Sequence, residues 1–256
     1  MSTKKYKIGI VLSGGGAKGF AHLGVLQAMY ENNIKPDIIA GASVGAIAGA
    51  LYADGYTPLE MLSMFKDNSF FNLISPKINK NSFMKSDKLK KKMQSLLHAQ
   101  TFEDLQIPLV ISASNLTCGR VAYFKSGKLL DKVLASSSIP VLFNPILINE
   151  EYYVDGGMFD NFPVEQIRDK CEFVIGSHLH PFKKQENIKT LKQNIERTIT
   201  LIYETHGWKK ANQCDVFIEP KGLSDFSIFD VRKGLKMYEI AYMETQRVLQ
   251  KNAVVL

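Results

Sequence analysis

The chain has 256 residues, of which 45% are hydrophobic and 22% are charged, and its formal net charge is +7 at pH 7. This composition excludes a disordered chain, because enough apolar residues are present to bury a sizeable core. Three scattered cysteines exclude a disulfide framework and a cysteine-based metal site, so we expect reduced thiols and a cytoplasmic protein. The apolar run 8–12 is too short for a signal sequence, and no linker divides the chain, so we expect one domain over residues 1–256.

The first predicted strand, Tyr6–Leu12, leads directly into a glycine-rich loop that opens a helix. The loop consists of Gly14, Gly15, Gly16, Ala17, Lys18 and Gly19. Such a loop directs backbone N–H groups at an anion from a helix N-terminus. Its glycine spacing also matches a dinucleotide-binding fingerprint, but the next acidic residue, Asp37, stands at the wrong end of the second strand for a ribose contact. The loop therefore predicts hydrogen-bond donors for a phosphate or for an oxyanion.

The stretch 38–49 predicts a nucleophile elbow centred on Ser43. An apolar strand ends in the pentad Gly41-Ala42-Ser43-Val44-Gly45, and a helix of small residues is predicted from Ser43 to Tyr52. The two flanking glycines let neighbouring backbone approach a strained turn. The N–H groups and the positive dipole end of the helix would stabilise an alkoxide or an oxyanion at the serine. If the first two strands are parallel neighbours, the glycine-rich loop lies next to this serine.

The region 58–97 combines apolar side chains with positive charge. We predict a helix over 58–65, an irregular apolar loop over 67–83, and a short lysine-rich helix that Ser86 caps and that ends near Leu97. Seven lysines against one acid lie between residues 77 and 92, directly after the apolar run 70–74. This pairing is typical of a surface on anionic lipid headgroups, and equally of a solvated helix face beside a buried loop. Segment 67–97 is therefore our candidate lid or membrane-docking insertion, and no motif indicates nucleic-acid binding.

The remainder of the chain continues to alternate strands with helices. Strands are predicted at 108–116, 121–124, 145–149, 152–154, 172–179 and 214–219. Helices are predicted at 130–138, 163–169 and 231–250, and apolar positions between 188 and 202 keep helical spacing. The alternation predicts an α/β fold with a mainly parallel sheet between two helical layers. The stripe 188–202 could pack on the sheet or on a second subunit, so a homodimer is one expectation.

Four sequence blocks together resemble the patatin-like phospholipase family: Gly14–Gly19, Gly41–Gly45, Ala135–Pro140 and Asp155–Gly157. The resemblance spans residues 7–163 and implies a three-layer α/β/α fold. It also implies a serine–aspartate dyad that hydrolyses fatty-acyl esters of phospholipids, lysophospholipids or related lipids without a metal or other cofactor.

Within that resemblance, Ser43 is the nucleophile and Asp155 the general base. The loop Gly14–Gly19 is the oxyanion hole, and Gly156 and Gly157 complete the aspartate motif. An ordinary aspartate is a weak base for a serine hydroxyl, so the dyad requires partial desolvation of Asp155. One departure is Lys18, which stands where many members carry arginine and so lacks the planar fork for bidentate contacts.

Two other functions stay open on the sequence alone. The first is a Ser-Asp-His triad in the α/β-hydrolase order, with Ser43, Asp155 and one of three later histidines. These are His178, His180 and His206. The second is a non-catalytic module that binds a nucleotide or phosphate through the glycine-rich loop.

Overall fold

The computed structural model describes residues 4–66, 82–185 and 187–251, apart from the side chains at 82–86, 192 and 206. The strands are β1 Tyr6–Leu12, β2 Ile38–Ala42, β3 Leu109–Asn115, β4 Arg120–Phe124, β5 Ile146–Ile148, β6 Glu151–Asp155, β7 Cys171–Ser177 and β8 Val216–Ile218. The helices are α1 Gly19–Glu31, α2 Val44–Ala53, α3 Pro58–Lys66, α4 Ser82–Leu96, α5 Leu129–Ser136, α6 Gly157–Asp160, α7 Leu191–Lys210 and α8 Gly234–Lys251.

The strands form one mixed sheet in the order β5-β6-β3-β2-β1-β7-β8, with β4 paired to β3. The pairs β3-β2, β2-β1, β1-β7 and β7-β8 are parallel. Strands β4 and β6 each pair with β3 in the antiparallel direction, and β5 pairs with β6 in the same way. The predicted mainly parallel α/β architecture is therefore confirmed, with an antiparallel extension at one end.

Side chains of the central strands alternate between two cores, one on each face of the sheet. Leu12 and Ile39 belong to the large core that packs against α1, α2 and α3, whereas Val11 and Ala40 belong to a second core on the opposite face. Because successive strand residues point to opposite faces, a strand buried on both sides must be apolar throughout. This accounts for the continuous apolar runs of β1 and β2.

The register of β3 determines where Asp155 lies. At Ser112, β3 pairs with Ala42 of β2 on one edge and with β4 on the other. One residue later, Ala113 still pairs with β4 on the second edge of β3. On the first edge, where Ser112 pairs with β2, Ala113 instead pairs with Asp155 of β6. Asp155 therefore lies directly beyond the last residue of β2, which is where Ser43 begins the turn into α2.

Most predicted elements agree with the structure to within a few residues, but two predictions are wrong. The helix predicted over 163–169 is two short 3-10 turns, Val164–Gln166 and Arg168–Lys170. Between them Ile167 adopts a non-helical φ of −124°, which lets its side chain be fully buried in the second core.

The second wrong prediction is the start of the lysine-rich helix. Helix α4 begins at Ser82, so Ser86 lies inside it and does not cap it. The three residues before Ser86 are phenylalanine, methionine and lysine, all of which a helix accommodates. Their helix propensity outweighs the preference of Ser86 for an N-cap position. Downstream, Leu89 and Met93 are buried in the large core. Residues 67–81 of the predicted lid or docking segment lie outside the described residues, so that prediction stays open.

Two further helices differ from their predictions at their ends, and α7 extends to Lys210, beyond the predicted stripe 188–202. Helix α7 begins at Leu191, so Ile188 precedes it. Helix α8 begins at Gly234, three residues after the predicted start. Within the described ranges, no helix has both the length and the apolar character that a membrane crossing requires.

Candidate active site

Ser43 occupies a strained turn between β2 and α2. Its backbone has φ 53° and ψ −123°, a conformation that non-glycine residues rarely adopt. A Cβ atom at Gly45 would overlap the carbonyl oxygen of Leu12, and one at Gly41 would lie 2.6 Å from the carbonyl oxygen of Gly45. The two glycines of the pentad therefore let β1, β2 and α2 approach each other closely enough to hold the turn.

The hydroxyl of Ser43 lies directly against the carboxylate of Asp155. Ser43 Oγ donates a hydrogen bond of 2.5 Å to Asp155 Oδ2. The other oxygen, Oδ1, accepts hydrogen bonds from Gly157 N–H at 2.8 Å and from Tyr203 O–H at 3.0 Å. Asp155 is fully buried, and Ser43 is only 3% exposed. The carboxylate thus reaches the serine with no other side chain between them.

Burial changes the acidity of this carboxylate. Removal from water raises the pKa of Asp155 to about 6, and the hydrogen bonds from Ser43, Gly157 and Tyr203 oppose that rise. Burial and the neighbouring Asp155 hold the pKa of Tyr203 well above 10, so its hydroxyl stays protonated and donates. At neutral pH Asp155 is ionised, but it is a stronger base than an exposed aspartate. This is the change that a serine–aspartate dyad requires.

Three consecutive serines at the C-terminal end of α5 hold both Ser43 and Asp155 in place. Ser136 Oγ accepts a hydrogen bond of 2.9 Å from Ser43 N–H, and Ser137 Oγ donates one of 3.2 Å to the Ser43 carbonyl. The carbonyl of Ser138 accepts a hydrogen bond of 2.9 Å from Asp155 N–H. The block 135–140, noted in the sequence only as part of a resemblance, therefore ties the strained turn to the end of β6.

Gly156 and Gly157 lie where β6 turns into α6. A Cβ atom at Gly156 would overlap the carbonyl oxygen of Ser112, and one at Gly157 would overlap the ring of Tyr203. Glycine at these two positions lets the C-terminal end of β6, which carries Asp155, pack tightly against β3 and α7.

The glycine-rich loop lies beside Ser43, as the parallel pairing of β1 and β2 predicts. A Cβ atom at Gly14 would be 3.0 Å from Ser43 Cβ and would overlap Asn161 Oδ1. Gly14 N–H donates a hydrogen bond of 2.9 Å to that amide oxygen. His180 Nε2 lies 3.1 Å from the Gly14 carbonyl, which it holds from the other side.

The six loop residues differ in whether their N–H groups are available. Ala17 N–H donates to the Ile228 carbonyl at 2.8 Å, and Lys18 N–H donates to the Gly15 carbonyl at 3.1 Å. Gly19 N–H bonds back to carbonyls within the loop. In the part of the chain that the structure describes, the N–H groups of Gly15 and Gly16 have no hydrogen-bond partner. These two are the donors in the loop that remain available to an oxyanion.

The side chain of Lys18 is almost fully buried beneath α7. It is 4% exposed, and this burial lowers its pKa to about 8, against the opposing effects of Glu196, Glu204 and Asp230. Lys18 lines a cleft with Glu196 and Arg197 and is not among the hydrogen-bond partners of Asp155.

The described histidine side chains near the site are held by other groups. His178 Nδ1 lies 2.7 Å from Glu219 Oε1, and His180 Nε2 bonds to the Gly14 carbonyl. His22 lies between Ser177 Oγ and the Ser13 carbonyl, at 2.8 and 2.7 Å. Burial lowers the pKa of His22 to about 4 and the pKa of His180 well below its ordinary value. The side chain of His206 lies outside the described residues.

Tyr203 is a residue that the sequence analysis missed. Helix α7, which carries it, begins with a capping box in which Thr190 Oγ1 accepts from Gln193 N–H. Near the end of the helix, Lys210 forms ion pairs with Asp160 at 2.8 Å and Glu165 at 2.5 Å. The only sequence signal for Tyr203 was its position four residues after Ile199 in the apolar stripe. Helical spacing places these two side chains on one face, and both belong to a small apolar cluster with Ile139, Leu142, Phe143 and Ile228.

Among the described residues, no group of three or more side chains could hold a metal ion. The site thus consists of a serine in a strained elbow, a buried carboxylate with a raised pKa, and two open backbone donors in an adjacent loop. Together these groups can activate a hydroxyl and bind a developing negative charge.

Comparison with known proteins identifies the family of this chain. The family model described as Patatin-like phospholipase matches residues 10–168. The chain therefore belongs to the patatin-like phospholipase family, and the resemblance drawn from the four sequence blocks is confirmed.

The relatives are longer proteins. Lysophospholipase NTE1 of Cryptococcus neoformans var. neoformans serotype D is 31% identical over 172 residues, which cover 64% of this chain and 10% of that protein. An NTE family protein of Mycobacterium tuberculosis is 28% identical over 163 residues, which cover 63% of this chain and 45% of that protein. The chain thus spans less than half the length of these curated relatives.

Among solved structures, VipD from Legionella pneumophila matches with a TM-score of 0.58 and 16% sequence identity. The match covers 98% of this chain and 68% of that chain. At this level of identity the likeness shows the fold alone.

Proposed function

We propose that this protein is a serine hydrolase that cleaves fatty-acyl ester bonds of lipids through Ser43 and Asp155. The observation that carries the proposal is the 2.5 Å hydrogen bond from Ser43 Oγ to the buried Asp155 carboxylate. The family, and the lysophospholipase among the relatives, favour phospholipids or lysophospholipids as the substrate class.

In the first half of the reaction, Asp155 Oδ2 accepts the hydroxyl proton as Ser43 Oγ attacks the acyl carbonyl carbon. The carbonyl π electrons move to the oxygen, which becomes an oxyanion. When the tetrahedral intermediate collapses, the bond from carbon to the leaving oxygen breaks. Asp155 then returns its proton to that oxygen, so that an alcohol leaves and the acyl group stays on Ser43.

In the second half, water takes the place of the alcohol. Asp155 accepts a proton from the water as its oxygen attacks the acyl carbon, and a second oxyanion forms. Collapse breaks the bond between the acyl carbon and Ser43 Oγ, which recovers the proton from Asp155. The products are a fatty acid and the free serine, and no redox partner or metal ion takes part.

The oxyanion in both halves needs donors that are in place beforehand. We assign this role to the N–H groups of Gly15 and Gly16, because the other loop N–H groups already have protein partners. Removing one such donor lowers the rate by roughly 10²–10³ in measured cases. The N-terminal end of α2 adds a favourable dipole beside Ser43.

The dyad is favoured over a triad because of what surrounds Asp155. Its two oxygens are occupied by Ser43, Gly157 and Tyr203, and none of these contacts leaves room for an imidazole between serine and aspartate. His180 instead supports the glycine-rich loop. The phosphate-binding alternative is less well supported, because four of the six loop N–H groups already donate within the protein.

The experiment compares fatty-acid release from lysophosphatidylcholine by the wild type, Ser43→Ala and Asp155→Asn. Three histidine variants are tested beside them. In His178→Asn and His180→Gln the new amide can keep the hydrogen bond of the imidazole to Glu219 and to the Gly14 carbonyl, respectively. The third variant is His206→Ala. We expect Ser43→Ala and Asp155→Asn to lose at least a thousandfold in kcat and each histidine variant to keep most of its activity. Circular dichroism checks that each variant is folded. A folded histidine variant as inactive as Ser43→Ala would replace the dyad by a triad.

We propose a single domain over residues 1–256, a lid or docking role for segment 67–97, and a cytoplasmic protein that contacts the membrane peripherally. A homodimer is also still a prediction, and light scattering of the purified protein would test it.

A further inference from the structure

The outer surface of α7 and the segment before it expose large apolar side chains. Trp208 is 75% exposed, Phe182 is 67% exposed and Leu201 is 40% exposed. These three side chains, with Thr205 and the buried His180, line an apolar groove of about 390 Å³. We call Phe182, Leu201, Thr205 and Trp208 the outer face.

Helical spacing separates this outer face from the side of α7 that faces the dyad. Leu201, Thr205 and Trp208 follow each other at four and three residues and form one stripe. Tyr203, on the opposite side, is fully buried and donates to Asp155. One helix therefore has the proposed dyad on one side and an exposed apolar surface on the other, separated by about 10 Å, the diameter of a helix.

The charge around the outer face is positive. Residues 182–210 contain seven lysines and arginines and three glutamates, although Lys183 pairs with Asp225, and Lys210 pairs with Asp160 and Glu165. Of the glutamates, Glu204 is buried and paired with Arg197, whose guanidinium also lies 5.8 Å from the ring centre of Phe182. Lys209 is exposed directly beside Trp208. Phe182 and Trp208 thus each have a cation next to them, Arg197 and Lys209.

We propose that the outer face docks the protein on the surface of an anionic lipid bilayer. Tryptophan is favoured at the boundary between headgroups and acyl chains, because its ring is amphipathic. Lysines beside an apolar stripe add attraction to anionic headgroups. A bilayer satisfies both features at once, whereas a second protein would need an acidic rim to meet these cations. This docking extends the proposed function, since it brings the dyad close to the lipid while remaining independent of hydrolysis.

The chain offers a direct probe of this docking, because Trp208 is its one tryptophan. We would titrate the protein with vesicles of phosphatidylcholine alone and of phosphatidylcholine with phosphatidylglycerol in a 7:3 ratio. The expected result is a blue shift of Trp208 emission with the anionic vesicles, and quenching by brominated acyl chains. Added salt weakens the binding, because it screens the attraction of the lysines.

The test variant is Phe182→Ser with Leu201→Ser, which leaves Trp208 as the reporter. The matched control is Leu235→Ser with Met243→Ser, which removes two exposed apolar side chains from α8. We expect vesicle affinity to fall at least tenfold in the test variant, since each large apolar side chain contributes more than that when buried. The control keeps its affinity. Thermal unfolding confirms that both variants are folded.

The two proposals fail in different ways. Loss of vesicle binding with full hydrolysis of a water-soluble ester supports docking by the outer face. Equal binding by the test variant and the control overturns it, as does a dimer in light scattering that shields Trp208 without lipid. A protein that binds vesicles through Trp208 but hydrolyses no ester leaves the docking intact and removes the proposed function.

Discussion

Replacing Tyr203 by phenylalanine tests how the environment of Asp155 sets its basicity. The change removes the hydroxyl that donates a 3.0 Å hydrogen bond to Oδ1, and it leaves the ring against Gly157 and His180. That hydrogen bond stabilises the carboxylate form, so its loss raises the pKa of Asp155 further. Tyr203 is a positioning residue in this account, since it acts through Asp155.

The size of the effect follows from the strength of the lost bond. A hydrogen bond to a charged group is worth about 1.5–3 kcal/mol, and one pKa unit corresponds to about 1.4 kcal/mol. The pKa of Asp155 should therefore rise from about 6 by about 1–2 units. The base must be ionised to act, so kcat/KM of the wild type falls as the pH drops below 6. In Tyr203→Phe the same loss begins at about pH 7–8.

The assay measures kcat/KM for a water-soluble ester as a function of pH, with pH-stat titration of the released acid as the readout. Relative to wild type, we expect Tyr203→Phe to lose about two- to tenfold at pH 7 and to recover toward pH 9, because its base is then ionised again. The matched control is Tyr153→Phe, which removes a buried tyrosine hydroxyl whose partner is Glu151. A loss of the same size at every pH, with an unchanged midpoint, would refute the role assigned to Tyr203.

Three further predictions concern the frame of the site. Asp155→Asn should raise the free energy of unfolding at pH 8 by up to about 3 kcal/mol, because burial raises the carboxyl pKa from 3.8 to about 6 and its ionisation then disfavours the folded state. Urea unfolding measures this gain, which shrinks as the pH falls toward 4, and a loss of stability at pH 8 would contradict it. Gly14→Ala should abolish ester hydrolysis, since the new methyl group overlaps Asn161 and crowds Ser43. Retained activity would show that the loop position is not critical. Ser136→Ala should lower kcat about tenfold and stability by about 1 kcal/mol, through the lost hydrogen bond to Ser43 N–H; denaturant unfolding and steady-state rates detect both changes.

The sequence predicts the parts of the site that depend on local pattern. The apolar run before Ser43 and the glycines around it require a sharp turn from strand to helix, and the strained φ of 53° agrees with this. The alternation of strands and helices likewise predicts the parallel sheet that brings the glycine-rich loop next to Ser43. These features follow from backbone geometry within short segments.

Other features depend on contacts between distant segments, and no local pattern contains them. Asp155 followed by two glycines is a common turn signal, and only the pairing of β6 with Ala113 brings it to Ser43. Which loop N–H groups remain open depends on Asn161 and Ile228, which lie far along the chain. Tyr203 lies 48 residues after its partner. Its hydroxyl is indistinguishable in the sequence from that of any other helical tyrosine.

The role of Ser43 and Asp155 is tested most directly by mapping where an alkyl fluorophosphonate attaches to the protein. This reagent phosphonylates an activated serine, and peptide mass spectrometry locates the adduct. We expect labelling of Ser43 in the wild type and in His178→Asn, His180→Gln and His206→Ala. In Asp155→Asn we expect labelling to be at least a hundredfold slower. Labelling of a different residue, or labelling of Ser43 that depends on a histidine and not on Asp155, would contradict the serine–aspartate dyad.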